Sequence, residues 1–166
     1  MLDQELSRRA FILRGAATVA TVAAGASLLP ELAGATDQIG TLSIPKLRLN
    51  KPIVAGVASA DLRRGVGHWP GTAGPGEAGT CVLFGHRTSS GAPFRNLHRL
   101  TAGDTMEAGD VTYVVADAQV VPVDEMRDLM DWGRHSGRTL VLVACSRANG
   151  RPTSTKFRLV VRAVAS

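Results

Sequence analysis

The chain has 166 residues, 45% of them hydrophobic and 4% aromatic, with 18 Gly and 8 Pro. That suits one globular domain with many sharp connections and argues against a chain disordered along its length. The net charge of +5 comes from basic residues spread along the chain rather than gathered in a run or a helical stripe, which sets aside nucleic-acid binding.

The first 35 residues differ from the rest. Paired arginines in "SRRAFIL" (7–13) precede an uncharged stretch rich in Ala, Thr and Gly (15–29), and "AGA" (33–35) offers small residues at a cleavage position. This is the plan of an export signal. Arg8 and Arg9, followed by Phe11, resemble a twin-arginine address. The alternative is an N-terminal membrane anchor, for which the uncharged stretch is shorter than the ~20 residues a bilayer needs. Both readings put the domain from residue 36 to 166 outside the cytoplasm.

"IGTLSIPKLRLNKPIVAGV" (39–57) reads as two short strands punctuated by Pro45 and Pro52, since proline is confined to strand starts and edges. "SADLRRGVG" predicts a brief helical turn, and "HWPGTAGPGEAG" (68–79) is rich enough in Gly and Pro to be loop. The strand "TCVLFGH" follows, with Gly85 giving the backbone freedom to turn before His86. Phe94, Leu97 and Leu100 in "APFRNLHRL" stand at helical spacing and predict a short helix over 92–100. The two "AGD" triplets (102–104 and 108–110) are turns, and "VTYVVADAQVVPV" (111–123) has the β-branched content of a long strand. Met126, Leu129 and Met130 predict a second short helix over 124–133, ended by Gly133. "RTLVLVAC" and "KFRLVVRAV" close the chain as strands. The sum is a mainly β barrel or sandwich with short connecting helices.

Cys145 ends an apolar run and precedes the polar loop "SRANGRPTS", which puts its sulfur at a sheet rim. Such a cysteine is either a small packing residue or a nucleophile. A nucleophile needs help to ionise, and His86 and Arg158 are the candidates. Arg158 stands 13 positions after Cys145, where an antiparallel return brings it beside the cysteine. Taken alone, His86 reads as structural and Arg158 as a solvated strand end. Cys81 and Cys145 are the only cysteines, and in an exported chain they allow one disulfide. Cys81 reads as a core residue. His98 and His135 read as surface residues, and Trp69 and Trp132 as packing anchors. No CxxC or HxxxH pairing supports a zinc site.

The segment "GVGHWPGTAGPGEAGTCVLFGHRTSSGAPFRNLHRLTAGD" (65–104) resembles the central part of class E sortases of high-GC Gram-positive bacteria. Shared features are a Pro-Gly-rich loop, a strand ending in Gly-His-Arg, a Pro-Phe helix and a Gly-Asp turn. With the opening strands and the cysteine and arginine strands, the resemblance covers about residues 39 to 164. It implies a closed β-barrel of about eight strands. It also implies a cysteine transpeptidase with Cys145 as nucleophile, His86 as general acid or base and Arg158 supporting the oxyanion.

The substrates so implied are surface proteins with an LPXTG-like or LAXTG-like sorting signal, the acceptor is an amine such as a cell-wall precursor, and no metal or organic cofactor is implied. Hydrolysis is the side reaction. The family pattern Thr-Leu-x-Thr-Cys is Val-Leu-Val-Ala-Cys here, Ser146-Arg147 replace His-Pro, and Thr80-Cys81 replace Gly-Asn. These departures keep an alternative open: a peptide-binding envelope module with weakened chemistry.

Overall fold

Eight strands account for most of the regular structure. They are β1 (Gln38–Ile44), β2 (Leu49–Ala55), β3 (Val66–His68), β4 (Gly79–Phe84), β5 (Thr105–Ala108), β6 (Val111–Pro122), β7 (Arg138–Ser146) and β8 (Phe157–Ala165). The computed structural model describes residues 37–126, 137–152 and 156–166. The expected signal segment, most of the expected helix over 124–133, Trp132 and His135 lie outside the described residues.

The strands close into a barrel in the order β1-β2-β3-β4-β7-β8-β6-β5, with β5 pairing back onto β1. Two neighbours are parallel, β2 with β3 and β4 with β7, and the others are antiparallel. Pro52 costs little in β2, because pairing with β3 begins at Ile53 and a missing N–H is tolerated at a strand edge.

Side-chain alternation along the strands divides the apolar residues into two clusters. The barrel interior holds Leu42, Ile53, Cys81, Leu83, Leu140, Leu142, Ala144 and Val161, with Phe94 and Leu97 packed among them. The second cluster holds Val82, Val141, Val143, Val160 and Val121, with Phe84 and Met126 partly buried against it. β7 is therefore buried on both faces for most of its length, which explains its nearly unbroken apolar run.

The connections are short. The helical turn expected near residue 59 is α1 (Ser59–Arg64). The helix expected over 92–100 is not formed. That segment is a chain of tight turns ending in a 3₁₀ turn at Leu97–Arg99, with N–H groups of Arg95, Leu97, Arg99 and Leu100 each donating to the carbonyl three residues back. A three-residue period still lines up Phe94, Leu97 and Leu100, and all three are buried. Two strands, β3 and β5, were not expected; β3 falls just before the Gly-Pro loop and β5 between the two "AGD" turns.

Candidate active site

The ends of β4 and β7 and the start of β8 meet at one end of the barrel. In the β7–β8 ladder Cys145 lies directly opposite Arg158. The Val143 carbonyl accepts the Gly85 N–H at 3.1 Å, so it faces β4. Backbone groups two residues apart face the same way, so those of Cys145 also turn toward β4. Cys145 and Arg158 thus form a non-hydrogen-bonded pair, the kind in which Cα atoms stand about 4.5 Å apart and side chains are closest. Cys145 and Arg158 are both partly exposed. Arg158 Nη1 donates to the Phe157 carbonyl at 3.0 Å.

His86 reaches this place through the parallel ladder. Phe84 pairs with Val143, and continuing the register past Gly85 sets His86 level with Cys145. Among the described residues no hydrogen bond joins the His86 ring to the sulfur. Such contacts are often long before substrate binds. Gly85 matters for space: a Cβ built there would lie 2.5 Å from Phe94 Cδ2. Its expected role as a flexible turn is therefore replaced by close packing. The Phe94 N–H donates to the His86 carbonyl at 2.9 Å.

Alternation gives this site its floor. Val141 and Val143 precede Cys145 on the same face, and Val160 follows Arg158. Trp69 flanks it, 39% exposed, its ring centroid 5.2 Å from that of Phe84. Ala144, one of the residues that depart from the family pattern, is buried in the barrel interior instead.

Cys81 stands apart. It pairs with Leu140, five positions before Cys145, which is about 16 Å at ~3.3 Å per strand residue, too far for the disulfide allowed by the cysteine count. Both cysteines are free. Burial, with a smaller contribution from Glu77, pushes the Cys81 thiol up to about 12.

Arg87 stands in the Gly-His-Arg motif of the resemblance, where the sequence assigns it no role. It is 2% exposed, and its guanidinium donates to the end of β7 and to His98 Nδ1 at 3.0 Å. His98 is exposed as expected, yet it is this arginine's partner.

The closed eight-stranded barrel thus brings Cys145, Arg158 and the His86 segment to one end. The sortase-domain family model matches residues 42–166, and the chain belongs to the sortase family. It is 34% identical to sortase D of Bacillus subtilis over 124 residues, 72% of this chain and 59% of that protein. Against sortase SrtE1 of Streptomyces coelicolor it is 32% identical over 137 residues, 72% of this chain and 38% of that protein. The chain thus spans less than two thirds of the length of these curated relatives. The crystal structure of a lid mutant of Streptococcus agalactiae sortase C1 superposes with a TM-score of 0.67 at 31% identity, covering 78% of this chain and 70% of that one.

Proposed function

We propose that this protein is a cell-envelope cysteine transpeptidase that cleaves an LPXTG-like or LAXTG-like sorting signal between Thr and Gly. The observation that carries this reading is the opposition of Cys145 and Arg158 in one ladder, with His86 level on the neighbouring segment. The Cys145 thiolate attacks the threonine carbonyl carbon, and Arg158 holds the carbonyl oxygen as negative charge develops there. As the tetrahedral intermediate collapses, the bond to the glycine nitrogen breaks and that amine takes a proton from His86.

The product of this half is a thioester on Cys145. An acceptor amine then attacks it, gives a proton to His86 and releases the thiolate, leaving a new amide bond. The donor is a surface protein, and the acceptor an amine of the cell wall or of another protein. Residues 1–35 take the domain out of the cytoplasm, as a cleaved signal or as an anchor. Among the described residues no helix is long and apolar enough to cross a membrane.

The burial of Ala144 inside the barrel supports a working enzyme over a binding module at that position, because this departure lies on the face away from Cys145, whereas Val141 lies on the Cys145 face. The test is ligation of LPXTG and LAXTG peptides to an amine by the full chain, followed by mass spectrometry. Ligated product from the wild type and none from Cys145→Ala is the expected result. Peptide binding without turnover by wild type is the result expected of a binding module.

A further inference from the structure

Past Gly85 the backbone no longer bridges the His86 segment and β7, and the side chain of Arg87 takes over. Its Nη1 reaches the Cys145 carbonyl at 3.3 Å, the Ser146 hydroxyl at 3.4 Å and the Gly150 carbonyl at 3.0 Å, while Nη2 reaches His98 Nδ1 at 3.0 Å. One group therefore touches the nucleophile's own carbonyl, the residue after it, the loop that leaves β7, and the turn that follows His86. The loop is itself tied into a turn, with Arg147 N–H donating to Arg151 and Gly150 N–H to Arg147.

Stability is a poor reason for this arrangement. A buried cation costs desolvation and is seldom better than an apolar side chain of similar size. Among the described residues no carboxylate is paired with Arg87, and its Nε has no hydrogen-bond partner. Burial draws the guanidinium down from its ordinary range, and the charge of Cys145 acts in the opposite direction.

We propose that Arg87 is a positioning residue for Cys145. It fixes the end of β7 and the loop through Gly150 against the His86 segment, and it holds a buried positive charge beside the nucleophile. The inference rests on reading Cys145 as that nucleophile.

The experiment uses the full chain and the variants Arg87→Met, Arg87→Lys and His98→Ala. Two assays are run: the rate at which iodoacetamide alkylates Cys145, located by mass spectrometry, and peptide ligation, which gives kcat and KM. Arg87→Met is expected to lower kcat about 10- to 100-fold, the scale of small misplacements of a reacting group. KM should change little, and alkylation of Cys145 should slow. Arg87→Lys is expected to restore part of both, and His98→Ala to lower kcat about 3-fold by loosening the guanidinium.

A purely structural role would lower the melting temperature and leave the alkylation rate of folded protein in place. Wild-type kcat in both Arg87→Lys and His98→Ala overturns the proposal, whether or not Arg87→Met folds. Ligation that survives Cys145→Ala contradicts the nucleophile reading instead, and the alkylation arm then still reports whether Arg87 acts on the thiol.

Discussion

Gly85 leaves the space that the Phe94 ring fills: a Cβ added at 85 would meet Phe94 Cδ2 at 2.5 Å and Cε2 at 2.7 Å. The Phe94 ring is fully buried, and its N–H holds the His86 carbonyl. Packing and histidine placement are therefore coupled through one absent methyl group. Gly85→Ala is expected to cost about 1–3 kcal/mol, the range of overpacked cores, and to displace His86. A lowered melting temperature together with a kcat loss larger than that of an equally destabilising variant far from the site checks this.

Arg158 acts on the acyl oxygen rather than on the thiol in the account above. Arg158→Ala should then lower kcat for ligation by about 10²–10³, the scale of removing one oxyanion donor. Alkylation of Cys145 by iodoacetamide should fall far less. Equal losses in the two assays would show that this arginine works by ionising the sulfur.

Cys81 provides a pH test that needs no substrate. Its thiol is raised from 9.0 to about 12 by burial, so the folded protein keeps a proton that the unfolded chain releases. Stability should be unaffected by this group below about pH 9 and fall as pH rises above it, because the unfolded state there binds fewer protons. Thermal melts over the alkaline range should show this decline, and Cys81→Ala should reduce its slope. Thiol titration of the native protein should label Cys145 and spare Cys81.

The long strands were legible because their β-branched runs are longer than any helix pattern could disguise. β6, β7 and β8 all fall where those runs predicted. The pairing of Cys145 with Arg158 was also within reach, since 13 residues with a polar loop between two apolar runs imply a hairpin-like return. Local pattern named His86 as a candidate but could not place it beside Cys145, because β4 and β7 pair in parallel over a long separation, and its role came from family resemblance. The short β3 and β5 gave too few alternations to recognise. The Phe94 segment misled because a spacing of three suits a 3₁₀ turn as well as an α-helix. Arg87 stood in the Gly-His-Arg motif of the family resemblance, but no local pattern announced its burial, which depends on carbonyls brought in from residues 145 to 150.

The most direct measurement is the intact mass of the full chain after incubation with LPXTG and LAXTG peptides, with and without an added amine, followed by peptide mapping. The account predicts an acyl adduct on Cys145, absent in Cys145→Ala, that is discharged into ligated peptide when amine is supplied. Folded, reduced protein that forms no adduct with either peptide, or forms one on another residue, would contradict it.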